Sequence, residues 1–274
     1  MPVLLGALGS VLIGFSDFFG RRSSGESSAV ATVHVAAWAG ATAGAILALI
    51  LRNQPGVRDL VLGSLSGFAS GAGLAMLYRA MVVSTVGVVS PVAAVTTAVA
   101  TVAVDVGRGN RPTALVTVGI VLGLVSLIAA AWDDDGGDRR TGIALAVGAG
   151  LIFAVMLLLG AATSDDSGLW PLVAQRVTAG AALAVFAVSR GVELAPPTRA
   201  LRRTAAMGGV FGSLGIGVTF LGLQRGEVGA VSVASSMYPA VTVALRWIAD
   251  GERLHAHQIA GLAGSLLAVG LIVG

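Results

Sequence analysis

The sequence predicts an all-α integral membrane protein, with ten transmembrane helices in two inverted five-helix repeats. Three observations carry that expectation. The 274 residues are 55% hydrophobic and only 11% charged, with a mean hydropathy of +0.89, against roughly 25% charged residues in a soluble domain. The charges gather between long apolar stretches, and the second half of the chain echoes the first when shifted by 142 positions. Disorder is excluded, because it needs low hydrophobicity and high net charge and the net charge here is +3. A membrane β-barrel would alternate apolar and polar residues over about ten positions, and runs such as Ala114 to Ala131 do not.

A bilayer core about 30 Å thick takes about 20 apolar residues per helix. The first span is 1–20. It reads as a retained helix and not a signal peptide, because Arg21 and Arg22 follow the apolar run instead of preceding it. Asp17 is its only carboxylate and the candidate proton-coupling group; Arg21, four residues on, offers a plain ion pair as the alternative. The second span, 29–51, carries His34. The stretch 60–104 is too long for one crossing and is read as the third and fourth spans, broken near Ser84 and Thr85, with Pro91 in the fourth. The fifth span is 112–132.

The hydrophilic segment from Asp133 to Arg140 then divides the chain into halves, 1–136 and 137–274. The sixth span is 141–164, the seventh 167–189 with Arg176 inside it, and the eighth 204–224. The ninth, 228–249, is interrupted at Tyr238-Pro239, and the tenth is 254–274. Arg79 and Arg246 lie near helix ends and are read as interfacial.

At the 142-residue shift, Gly67 meets Gly209, Gly87 meets Gly229, Ser90 meets Ser232 and Arg111 meets Arg253, with no gap. The same shift pairs His34 with Arg176. Five helices per half is odd, so the second half enters the membrane from the opposite side. Inverted repeats recur in secondary transporters, whose solute sites lie near the midplane where the repeats meet.

In the second half, Phe220-Leu-Gly-Leu223, Glu227-Val-Gly-Ala230, Ser236-Met-Tyr-Pro239 and Gly251-Glu-Arg-Leu254 followed by Gly261 resemble the EamA-type repeat of the drug/metabolite transporter superfamily. The first half departs from it, with Thr97 in place of Pro239 and Asn110 in place of Glu252. The resemblance implies a central cavity and, usually, export of small metabolites driven by an ion gradient. Lipid carriage by the same architecture and a scaffold without transport stay open beside it.

An ionisable group inside the membrane costs at least a few kcal/mol unless it faces protein or water, which makes Arg176 and His34 candidate solute ligands. Snorkelling to the interface is the alternative for both. A cavity lined by both would suit an anionic or zwitterionic solute. Pro91 and Tyr238-Pro239 interrupt their helices, and broken backbone within a membrane is tolerated beside a cavity or against protein. These residues complete the expected substrate path. Small residues at four-residue spacing, such as Gly40/Gly44, Gly67/Gly71 and Gly208/Gly212, are read as close helix contacts.

Other chemistries are set aside. There is no cysteine, and all 17 basic residues are arginine, which removes thiolate metal sites, Schiff-base mechanisms and the phosphate-loop lysine. The sequence pI near 10.5 does not imply nucleic-acid binding, because the arginines are split among short links. His255 and His257 lack a third ligand, so neither a metal nor a cofactor is expected. No nucleophile, acid and base converge as an enzyme requires. The expected partners are a small-molecule substrate, the lipid bilayer and a coupling proton or ion, in a monomer or homodimer at the cell membrane. The resemblance implies cytoplasmic termini, whereas the arginine count of the links favours the reverse.

Overall fold

A computed structural model describes residues 1–84, 86–130, 138–250 and 256–273. Described residues outside the links are helical. They form α1 (Pro2–Gly25), α2 (Ala29–Leu51), α3 (Val57–Val83), α4 (Val86–Gly107), α5 (Ala114–Ala130), α6 (Arg139–Ala161), α7 (Trp170–Arg190), α8 (Arg199–Leu223), α9 (Val228–Ser235), α10 (Tyr238–Asp250) and α11 (Ala256–Val273). Eight crossings among the described residues are long and apolar enough to span a membrane, with α9 and α10 counted as one. With α5 and α11, the helices make up the ten expected.

Local chemistry sets the ends. Ser28, Asp138 and Thr198 stand before α2, α6 and α8, each accepting a backbone N–H three residues on, which satisfies an otherwise orphaned donor. Pro171 sits in the first turn of α7, where a missing N–H costs nothing. Gly191 ends α7 with φ 62°, a backbone that favours glycine. The expected eighth span began at 204, yet α8 starts at Arg199, because the Thr198 cap carries the helix past the apolar stretch into its exposed Arg202-Arg203 turn.

Helix starts recur 142 positions apart: Val57 and Arg199, Val86 and Val228, Ala114 and Ala256. Packing partners recur too. α1 lies on α8 as α6 lies on α3, α2 lies on α8 as α7 lies on α3, and α4 lies on α6 as α9 and α10 lie on α1. α2 pairs with α7, and α5 with α11. The matched residues Val89 and Val231 are both wholly buried, one in each of two apolar clusters.

Glycine makes these contacts close, as lipid-immersed packing requires. A Cβ on Gly67 would strike the Gln175 carbonyl on α7, and one on its counterpart Gly209 would strike the Ala36 carbonyl on α2. The Gly251-Glu-Arg-Leu254 motif, His255, Thr85 and the segment 131–137 lie outside the described residues.

Candidate functional site

A cavity of about 70 Å³ lies midway along the helices, between α1, α3, α4, α6, α7, α8 and the α9–α10 junction. One water needs roughly 10–15 Å³ of such space, so several fit. Its lining mixes apolar side chains, Leu74, Phe153, Met156 and Ile216 among them, with Asp17, Ser70, Thr97, Arg176, Ser236 and Tyr238.

Asp17 is 2% exposed and its Oδ2 has no hydrogen-bond partner. Arg176 is 6% exposed and its Nε has none. Among the described residues, no ion pair joins Asp17 to Arg21 or to Arg176. Gly212 on α8 makes room beside the guanidinium, with Arg176 Nη2 3.7 Å from where a Cβ would stand.

The α9–α10 junction borders the cavity through Ser235, Ser236 and Tyr238. Its cause is local. Pro239, second in α10, has no N–H for the Ser235 carbonyl four residues back. The chain turns over Ser236 and Met237, where Met237 N–H reaches only the Ala234 carbonyl at 3.4 Å. Pro91, by contrast, is buried inside an unbroken α4. Neither Pro91 nor Pro239 lines the cavity itself.

His34 also lies away from it. Its Nε2 accepts Trp38 Nε1–H at 3.0 Å, so its Nδ1–H donates to the Leu194 carbonyl at 2.7 Å. The ring sits in an open crevice between α2 and the α7–α8 link. Arg79 is exposed near the end of α3, and the Arg246 side chain lies outside the described residues.

Tyr78 was not anticipated. It is wholly buried and donates from its hydroxyl to the Ser16 carbonyl at 3.4 Å, next to Asp17, in space left by Gly20. The chain has two tyrosines, and both reach this site; that rarity was a usable signal. Gln175, wholly buried beside Arg176 in sequence, donates to Ser66 Oγ at 3.0 Å.

Residues 140–274 match the EamA-like transporter family. The second half of the chain is therefore an EamA-like unit. A membrane transporter, and not an enzyme, is what EamA-like membership points to. No curated protein matches the chain. Among solved structures 29 chains match; one, described only as "Crystal structure of protein", superposes with a TM-score of 0.77 at 15% identity, over 98% of this chain and 95% of its own. That likeness speaks for the fold. Among the described residues, no cluster of three or more His, Cys, Asp or Glu could hold a metal.

Proposed function

We propose that this EamA-like protein is a secondary transporter, working as an exporter at the cell membrane, that moves small polar or amphipathic solutes by alternating access at the midplane cavity. The observation that carries the reading is a single cavity holding a buried carboxylate and a buried guanidinium that do not pair. Unpaired ionisable groups at this depth are costly, and a zwitterionic solute with an apolar body satisfies both while resting on the apolar side chains of the lining. Arg176 takes the solute's anionic group, and Tyr238 flanks it. Asp17 takes the cationic group or a proton, which couples movement of solute to a gradient.

The halves 1–136 and 137–274 act as inverted repeats that rock about this site. The shared 142-residue shift in helix starts and packing partners supports that reading, as does the odd number of crossings in each half.

The test is uptake into proteoliposomes of a labelled panel rich in amino-acid-like zwitterions, with and without an imposed pH gradient. Gradient-driven movement of at least one solute is expected. Asp17→Asn should remove the dependence on the gradient. Immobility of every solute in folded protein would overturn the reading.

A further inference from the structure

The shift that relates the two halves also relates parts of the cavity lining. On α3, Ser70 and Leu74 face the cavity; 142 positions on, Gly212 and Ile216 of α8 face it too. Four residues beyond Leu74 stands Tyr78, and four beyond Ile216 stands Phe220, so the same shift matches two large aromatic side chains. Each is 1% exposed, and both lie just outside the lining.

Each ring sits in a notch left by a glycine, where the missing side chain lets a bulky group approach the facing helix closely. A Cβ on Gly20 of α1 would overlap the Tyr78 ring and hydroxyl, and one on Gly160 of α6 would overlap the Phe220 ring. Both notches lie one turn past the cavity: Gly20 is four residues beyond Ser16, and Gly160 four beyond Met156. The surroundings match as well. Tyr78 shares an apolar cluster with Val89, and Phe220 shares another with the counterpart Val231.

The two rings stand at opposite ends of the cavity. The links 52–56, 162–169 and 224–227 meet at one end, where Gly56 N–H donates to Ser167 Oγ at 3.0 Å and Gln224 donates to Thr163 Oγ1 at 2.8 Å. The links 26–28 and 191–198 lie at the other end of α8, where the Ser23 hydroxyl donates to the Leu201 carbonyl at 3.3 Å. α6 and α8 run from the cavity into the first end, which puts Phe220 and Gly160 on that side. α1 runs from the cavity into the second, and α3 starts at the first and passes the cavity before reaching Tyr78. Tyr78 and Gly20 therefore lie on the second side.

We propose that Tyr78 and Phe220 are the two gates of the solute path, each closing one end of the cavity and each leaving its glycine notch while the other stays lodged. The proposal rests on the alternating-access reading, and adds which side chains do the closing, whatever the solute is.

The chain has no cysteine, so one introduced thiol reports cleanly. Ser70→Cys places it in the cavity lining. Single cysteines at the exposed positions Gln54, on the Phe220 side, and Glu193, on the Tyr78 side, identify the faces of a sealed vesicle. The probe is a small, membrane-impermeant methanethiosulfonate. Phe220→Ala is expected to raise the Ser70→Cys rate from the Gln54 side by about tenfold, and Tyr78→Ala to raise it from the Glu193 side by about as much, since truncation removes the packing that holds that side shut. Tyr78→Phe keeps the ring and should stay within about twofold of the parent. Gains from both sides in a single-gate variant would overturn the proposal, because they would mean a loosened fold. Unchanged rates in alanine variants that melt cooperatively would overturn it too. Where an alanine variant does not fold, Tyr78→Leu or Phe220→Leu, which leaves part of the notch empty, decides by the same criterion. Solute uptake in the same vesicles keeps the two readings apart. One-sided thiol gains without movement of any solute would uphold the closures and count against transport, whereas solute movement without one-sided gains would overturn the gates alone.

Discussion

Asp17 and Arg176 line one buried cavity without pairing. In a soluble core, two such groups would be expected to pair, since a lone buried ion is strongly unfavourable. Here α1 and α7 hold them apart, with the tyrosine hydroxyls of α3 and α10 nearby. The arrangement leaves Asp17 Oδ2 and Arg176 Nε without a hydrogen-bond partner among the described residues.

Removing either charge should therefore weaken solute binding more than it weakens the fold. Arg176→Gln is expected to raise the apparent KM of the transported zwitterion by about tenfold to a hundredfold, the range for a lost bond to a charged group. Arg176→Lys should recover only part, since an ammonium does not reproduce the guanidinium fork. Melting of the purified protein alongside uptake separates binding from folding. A KM unchanged in Arg176→Gln would remove this residue from the solute path.

Pro239→Ala probes the helix break. Alanine would supply the N–H that the Ser235 carbonyl lacks, letting α9 run into α10. The melting temperature should hold or rise, because proline is roughly 3 kcal/mol less favourable than alanine within a helix. Transport should fall, since Ser235 and Ser236 would be drawn out of the cavity wall. The pattern of preserved stability with lost uptake is the informative one; a parallel loss of both would argue for a purely structural proline.

What the sequence reveals here depends on contrast. Asp17, Arg176 and Tyr238 stand out against apolar surroundings, and the structure places all three at the cavity. His34 stands out equally but faces another way. α2 is apolar all round, so no amphipathic stripe says which of its faces looks inward. Most helix boundaries were legible from the spacing of charges and turn residues, but the start of α8 at Arg199 was not. Nor were the bonds that Asp59 accepts from the Ser164 and Ser167 hydroxyls, because the two serines lie more than 100 positions away and only the fold brings α3 and their link together.

The matched glycines allow a test of the packing. Gly67→Ala and Gly209→Ala each push a methyl into a backbone carbonyl of the facing helix, from Gln175 and Ala36 in turn. Backbone cannot step aside as a flexible side chain can, so each should destabilise by about 1–3 kcal/mol, the usual range for overpacking. Similar losses at the two sites, read as melting in detergent, are expected if the halves pack as equivalents. A tolerated Gly209→Ala beside a destabilising Gly67→Ala would break that equivalence.

His34→Ala separates intramembrane position from solute contact. The 142-residue shift pairs His34 with Arg176, and on sequence grounds both were candidate ligands. The structure gives the His34 ring two other partners, Trp38 and the Leu194 carbonyl, and places it in the crevice under the α7–α8 link. Truncation should therefore leave the solute KM within about twofold, because no bond to solute is lost. It should cost stability, since each neutral hydrogen bond contributes about 1 kcal/mol. Backbone hydrogen exchange should quicken across 191–198, the segment that Leu194 ties to α2. A KM shift as large as that of Arg176→Gln would place His34 on the solute path after all.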